Sequence, residues 1–397
     1  MAKGWWRTPL FMVGVLFMMQ AFPMPGPVRD AAAFTWPAGY HLSFPLWHLV
    51  FTPFCSVADA LTVLSTKEQM VFQIWVIVLC FAGLGWRRGA LAWIFWIAFV
   101  AWGAVVPHPM GRLVADNPRT LLIDFHSHSR ASHDGRPSFT PEANMRWHRE
   151  QGYNAAFITD HNRIESAEAA HAISMKEWRD TGYYSLMGEE ISLSKTHLVL
   201  LGNHIRVDNR PYDSDFNHVL LFLRDMNALR WPVIASLPEY WLYHWGPEVQ
   251  EMVDGGIGGF EIVNSAPKAL DFPETKRRAI IALCQQHNLP MTGISDNHGY
   301  GYATAVWNAM TIPGWRRLDP DQLELTIVLL LKKQGAQAVQ VLERAKFWPQ
   351  NRLQLILSPL GNALVYLRQL TPLQRGIWAL WIFAGCAFWR RREFAGG

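Results

Sequence analysis

"LLIDFHSHSRASHDG", residues 121–135, decides how the chain is read. An apolar run of strand type ends in Asp124, then His126 and His128 follow one residue apart, then the pair His133-Asp134. Alternate side chains on an extended backbone share a face, so His126 and His128 are placed to grip one ion together. The arrangement recurs along the chain. "FITDH" sets Asp160 and His161 after a second apolar run, and "MGEEIS" sets Glu189 and Glu190 at the end of a third. "THLVLLG" carries His197, and "GISDNH" closes with Asp296 and His298. A lone HxH or DxH is a weak signal, because a single histidine is more often structural than a ligand. Five clusters in order, each directly after a strand-like run, point to a metal site. Imidazole and carboxylate donors suit Zn, Mn or Fe, and a carboxylate can bridge two ions. The ligands are too many for one tetrahedral ion, which implies two or three divalent metal ions.

Working outward, the strand candidates are "TLLIDF", "AAFIT", "YYSLMG", "HLVLLG", "WPVIAS", "GFEIV" and "MTGIS". Helix-like segments at 141–151, 165–179, 215–229 and 274–287 lie between several of them. Thr140-Pro141-Glu142 is a good helix start, with a hydroxyl cap, proline at the first position and an acid in the first turn. Seven short buried strands alternating with helices predict a parallel α/β barrel, whose chemistry gathers at the carboxyl ends of the strands. The Gly-rich "DGGIGGFE" lacks the Lys-Ser/Thr of a phosphate loop and precedes a strand, so it reads as a turn.

The 397 residues divide into a Trp-rich apolar region, 1–110, a polar domain, 118–315, and a helical tail, 316–397. Half of the residues are hydrophobic and only 17% are charged, below the roughly 25% usual for soluble domains. That deficit and the 20 tryptophans predict an integral membrane protein, of the bacterial inner membrane, with three to four N-terminal transmembrane helices. Gly89–Pro107 and Met70–Trp86 are the strongest spans, and Pro9–Met24 is a third, with a signal peptide as its rival reading. Leu46–Leu64, which contains His48 and Asp59, either spans or lies in the interface. The run 376–389 is short for a span, although Arg375 has the length to snorkel, and "NRLQLILSPLGNALVYLRQL" reads as an amphipathic surface helix. Arg87 and Arg88 between the two best spans place their loop in the cytoplasm and the polar domain outside it. The net charge of +4 is spread out, so no nucleic acid binding is expected. Four cysteines without metal-like spacing define no disulfide framework.

"DFHSHSRASHDGRPSFTPE", "GYNAAFITDHN", "GEEIS", "THLVLLG", "GFEIVN" and "GISDNHG" together resemble the successive motifs of the polymerase-and-histidinol-phosphatase (PHP) superfamily, over about residues 120–300, half the chain. The resemblance implies a distorted seven-stranded (β/α) barrel, a di- or trinuclear metal centre and phosphoester hydrolysis. Residue by residue it implies His126, His128, Asp134, His161, Glu190, His197, Asp296 and His298 as metal ligands, with His133 as the alternative to Asp134. Glu189 reads as an outward neighbour. One position departs: the family has a His before Pro at the fifth strand, whereas "ASLPEYW" has Leu237 there. Either the centre has one ligand or ion fewer, or His244 reaches in from the next loop.

The implied chemistry is attack on phosphorus by a metal-bound hydroxide, with Asp296 orienting or deprotonating the water and His197, or a histidine behind the ligands, protonating the leaving oxygen. Arg130, Arg163 and Lys195, each just past a motif strand, are the candidate phosphate-binding cations. Glu261 and Asn264 either support the ligands or contact substrate. Tyr240, Trp241, Tyr243 and Trp245 either roof the pocket or rest on the barrel flank or the membrane interface. The expected partners are a phosphorylated small molecule or a lipid-linked phosphate, membrane lipid and membrane proteins. The competing expectation, motivated by Leu237, is a non-catalytic accessory subunit of a membrane complex that retains the barrel.

Overall fold

The computed structural model describes residues 6–193, 196–243 and 245–395. Its strands, in chain order, are β1 (Val28–Asp30), β2 (Tyr40–Ser43), β3 (Arg112–Ala115), β4 (Thr120–Asp124), β5 (Ala155–Ile158) and β6 (Tyr184–Leu193). They continue with β7 (Thr196–Leu201), β8 (Val233–Ala235), β9 (Gly259–Asn264), β10 (Met291–Ile294), β11 (Val306–Thr311) and β12 (Gln340–Arg344). β4 to β10 fall on the seven apolar runs. β4, β5 and β9 are buried at every residue, because helices and loops cover both faces of the sheet. β2 and β3 form a separate antiparallel pair.

The expected closed seven-stranded barrel is not what forms. The sheet is an open, curled half-barrel of ten strands in the order β1-β12-β11-β4-β5-β6-β7-β8-β9-β10. Two features prevent an all-parallel closure. Only two residues separate β6 from β7, and a parallel return needs a crossover of a dozen or more, so β7 pairs antiparallel with β6 and then with β8. In addition, β11 takes the free edge of β4, pairing antiparallel with it and with β12, and so occupies the edge that β10 would need. Curling still brings β10 near that seam. The Asn308 side chain on β11 spans it, accepting from the Gly293 N–H at 2.7 Å and donating to the carbonyls of Gly293 at 2.5 Å and Ile123 at 2.9 Å.

The helices pack around this sheet with locally encoded ends. Pro141–Gln151 starts where the Thr140 hydroxyl accepts from the Ala143 N–H. It stops at Gly152, whose φ of 95° and close approach to the Leu113 carbonyl both demand glycine.

The membrane expectation is also corrected. Among the described residues one helix, Thr66–Val105, is long and apolar enough to cross a membrane. The N-terminal helix Arg7–Met18 has 12 residues, about 18 Å at 1.5 Å per residue, too short for a span. The helix Pro372–Ala395 is not apolar enough over a spanning length, so N- and C-terminal transmembrane segments are not found. Arg375 does not snorkel. It is 2% exposed and donates to the carbonyls of Leu370 and Leu16, tying the two terminal helices together. Residues 46–64 form two short helices, Leu46–Val50 and Thr52–Thr62, with His48 and Asp59 buried and 3.3 Å apart.

Thr66–Val105 is itself bent back. Gly85 has φ 71° and ψ 173°, outside the helical region, and the halves 66–84 and 86–105 lie side by side. Phe72 stacks on Trp96 with ring centroids 5.6 Å apart, and the Trp96 indole donates to the Gln73 side chain at 2.8 Å. Each half is about 30 Å long at 1.5 Å per residue. Met70, Leu79, Trp86, Leu91 and Phe95 are exposed along it.

Candidate metal centre

The histidines and carboxylates converge at one rim of the sheet because of where each strand stops. His126 and His128 follow the end of β4, His161 follows β5, and Asp296 and His298 follow β10. Glu190 lies within β6, level with His161 through a single β-bridge. His197 sits near the start of β7. That strand runs antiparallel to β6, so its beginning shares the rim with the ends of the others. Asp134 arrives on the loop after β4 and points its Oδ2 at His298 Nε2, 3.2 Å away, and at His161 Nε2, 3.6 Å away.

Glu190 is the hub. Its Oε2 faces His161 Nδ1 at 2.8 Å, His126 Nε2 at 3.2 Å and His128 Nε2 at 3.3 Å, and its Oε1 faces His197 Nδ1 at 2.6 Å. Asp296 Oδ1 lies 3.1 Å from His128 Nε2. Ligand atoms of His126, His128 and Glu190 lie within 4.8 Å of one another, as do those of His161, Glu190 and His197. The same holds for His128, His161 and His298, and for His133, Asp134 and His161. These clusters are able to coordinate divalent ions.

The donor set fits such ions. Glu190 Oε2 is buried and has no hydrogen-bond partner among the described residues, although three imidazoles surround it. His126 Nε2 and His128 Nε2 face each other at 3.0 Å. A buried polar atom is normally hydrogen-bonded, so a buried carboxylate oxygen without a hydrogen bond, ringed by imidazole nitrogens, describes a candidate cation site.

A ring of further contacts aims the ligands. Glu261 Oε1 holds His126 Nδ1 at 2.8 Å, and its Oε2 accepts from the Ser236 hydroxyl at 2.6 Å. The Asn264 side chain donates to Asp296 Oδ2 at 3.0 Å. Asp160 does not face the cluster. It accepts from the Ser129 N–H and from the Ser129 and Ser132 hydroxyls, and the Ser132 hydroxyl lies 2.8 Å from His128 Nδ1. Asp296 itself has φ 49°, a left-handed backbone that costs a non-glycine residue about 1 kcal/mol or more. Its N–H donates to the His126 carbonyl, which pins the two ligands to one another.

The electrostatics follow from burial opposed by close partners. Burial opposes ionisation of Glu190 and Asp296, and the surrounding imidazoles outweigh it, holding both carboxyls well below the usual range. Burial also disfavours the charged form of His161, but Glu190 and Asp134 raise it to about 10. His298 is raised to about 9, against burial, by Asp134 and Asp296. His128 goes the other way, to about 3, through burial and the neighbouring His298 charge.

All eight expected ligands therefore lie in one cluster, and His133 stands beside Asp134 there, so both residues of that alternative reach His161. Of the expected cations, Arg130 and Arg163 are exposed, and neither pairs with a ligand carboxylate among the described residues. Lys195 lies outside the described residues, as does His244. Glu189 does point away from the cluster, though not into solvent. It is fully buried on the opposite face of β6, where it accepts from Asn203 and the Val207 N–H, and burial raises its carboxyl to about 7. Leu237 is buried in the main core. Beside it, sequence reasoning missed a direct contact: the Tyr240 hydroxyl lies 2.8 Å from His197 Nε2. Trp241 and Trp245 instead pack on Phe272 and Lys276, so the aromatic group divides between the pocket and the flank. Only the odd "LPEY" following the fifth strand marked the place in sequence.

No protein-family model matches the chain, and no curated protein matches it. Among solved structures, a Bifidobacterium adolescentis protein provisionally named a metal-dependent phosphoesterase is 14% identical, with a TM-score of 0.35 over 46% of this chain and 89% of its own. An amidohydrolase from Chromobacterium violaceum, solved with sulfate and no metal, is 18% identical, with a TM-score of 0.32 over 50% and 98%. PsfC from Pseudomonas syringae is 15% identical, with a TM-score of 0.38 over 62% and 98%. Likeness at this level establishes neither family nor activity.

Proposed function

We propose that this chain is a membrane-attached, metal-dependent hydrolase of phosphate esters. The observation that carries the metal part is Glu190, a buried carboxylate oxygen faced by three imidazole nitrogens with no hydrogen bond to satisfy it. The phosphate part rests on the order of the PHP-like motifs in the sequence. His126, His128, Glu190 and Asp296 would hold one ion, and His161, Glu190 and His197 a second, with Glu190 shared. His298 and Asp134 complete the rim. Bound divalent ions lower the pKa of water and neutralise phosphate oxygens.

The chain's own groups set the rest. Asp296, fixed by Asn264 and by its strained backbone, is placed to orient a water or take its proton. With His197 taken up as a ligand, the Tyr240 hydroxyl 2.8 Å from its Nε2 offers the proton for a leaving oxygen. Arg130 and Arg163 stand outside the centre as cations for an arriving phosphate. The hairpin 66–105 attaches the chain to a bilayer, with the site on the extracytoplasmic side.

Leu237 favours a second reading, an accessory protein that keeps the cluster without turnover. One experiment separates the two. The full chain, purified in detergent and reconstituted with Zn, Mn or Fe, is assayed for bound metal and for hydrolysis of p-nitrophenyl phosphate and bis-p-nitrophenyl phosphate. Retained metal with turnover that falls at least a thousandfold in His126→Ala and Asp296→Asn supports the enzyme. Retained metal with no turnover on either ester supports the accessory reading, and a chain that takes up no metal ends the hydrolase reading.

A further inference from the structure

The rim that bears the metal ligands is stitched to the base of the membrane hairpin. The Thr66 N–H donates to the Pro267 carbonyl at 2.9 Å, and the Gly301 N–H donates to the Ala104 carbonyl at 2.8 Å. The Thr62 hydroxyl donates to the Ala303 carbonyl at 3.4 Å, and Arg136 donates to the Val105 carbonyl. These contacts join both ends of the hairpin to the loops around Asp134, Asp296 and His298.

Two hollows meet at this junction. One is a cavity of about 290 Å³ whose walls include Asp134, Asp296 and His298 together with Pro267, Tyr300 and Tyr302. The other is a groove between the helix Thr52–Thr62 and the hairpin, lined mainly by Leu61, Phe72, Phe99, Val100 and Ala104, with Gln69 and Gln73 at its side and no charged residue. Tyr302 lines both. Its carbonyl is held by the Trp147 indole at 3.2 Å, and its ring lies 5.9 Å from that of Tyr300. A hollow that carries candidate ligand groups therefore adjoins an uncharged, mostly apolar one that belongs to the hairpin, with Tyr302 lining both.

We infer that the substrate is an amphiphile resident in the membrane, a phosphate ester of a long alkyl or prenyl chain. Its phosphate would lie in the cavity beside Asp296 and His298, and its chain would run past Tyr302 into the groove on the hairpin. This rests on the proposed hydrolase reading and deepens it. A water-soluble substrate needs no apolar groove continuous with the membrane segment. An amphiphile does, because withdrawing its chain from the bilayer into water would cost about 0.8 kcal/mol per methylene. The groove offers that chain an apolar path up to the site.

The test uses the metal-loaded full chain in mixed micelles with two monoesters of the same phosphate, one butyl and one hexadecyl. The wild type should turn over the hexadecyl ester with at least tenfold higher kcat/KM. Val100→Trp, which fills the groove, should lower the hexadecyl-to-butyl ratio at least tenfold. In parallel, a hexadecyl phosphonate with a mid-chain diazirine is photolysed on the wild type, a readout that needs neither turnover nor the variant. Labelling should fall on peptides from 52–62 and 66–105 and be lost in competition with unlabelled hexadecyl phosphonate. Equal turnover of the two esters, or labelling confined to other segments, overturns the inference and leaves the hydrolase reading standing. Metal retained with neither ester cleaved, but the groove labelled, overturns the hydrolase reading and leaves the amphiphile site.

Discussion

Glu261 touches the centre only through His126, and the consequence is a graded one. Its carboxylate fixes the ring's Nδ1 side, so that Nε2 is directed at Glu190 and His128. Removing such a supporting contact costs about ten- to a hundredfold in metal affinity without deleting a ligand. Glu261→Gln should therefore weaken metal binding by that factor in a chelator competition, with the far-UV circular dichroism unchanged. Glu190→Gln should do far more, because Glu190 belongs to two clusters at once, and bound metal should fall by at least half by elemental analysis. An equal effect of the two changes would mean that Glu190 is no more a ligand than Glu261 is.

Among the elements, β11 has the largest influence on the shape of the sheet. It blocks the edge that a closed barrel would need, and its Asn308 side chain then spans the seam it leaves open. Asn308→Ala would strip partners from the Gly293 N–H and from two buried carbonyls. Leaving buried groups unsatisfied costs about 1 to 3 kcal/mol each, partly relieved by relaxation. The expected loss is about 2 to 3 kcal/mol in denaturant unfolding of the detergent-solubilised chain. Because the seam sits directly below Ser295 and Asp296, the same change should also weaken metal binding. A variant as stable as wild type would show that the seam bears no load.

At the scale of the whole molecule, Glu343 joins parts far apart in sequence. From β12 it pairs with Arg29 of β1 at 2.5 Å and with Arg277 of the helix Glu274–His287 at 2.9 Å, all three largely buried. Burial opposes its ionisation, and the charges of Arg277 and Arg29 outweigh that and hold its carboxyl below the ordinary 4.5. A depressed native pKa means that the unfolded chain takes up the proton first as pH falls. The stabilisation is complete above about pH 4.5 and is lost as pH drops through the lower native value. Glu343→Gln should destabilise the protein at pH 7 by about 3 kcal/mol, since two buried guanidinium groups lose their partner. It should also flatten the acid side of the stability profile, measured as Tm against pH. An unchanged acid limb would place that pH dependence elsewhere.

The local pattern of the chain determined what is decided locally. Apolar runs of strand length marked β4 to β10, and the positions of His126, His128, His161, Glu190, His197, Asp296 and His298 within or just beside them marked the rim, because strand alternation fixes which side chains share a face. The two strong apolar stretches on either side of Arg87 and Arg88 became the halves of one hairpin. What pairs with what was not local. That β7 returns antiparallel, that β11 occupies the edge of β4, and that Arg375 donates to the Leu16 carbonyl of the N-terminal helix all depend on contacts between distant segments. The buried place of Glu189, the approach of Tyr240 to His197 and the seating of the metal rim on the hairpin arise in the same way. Tertiary packing alone decided these, because periodicity records which face of an element is buried and not which neighbour buries it.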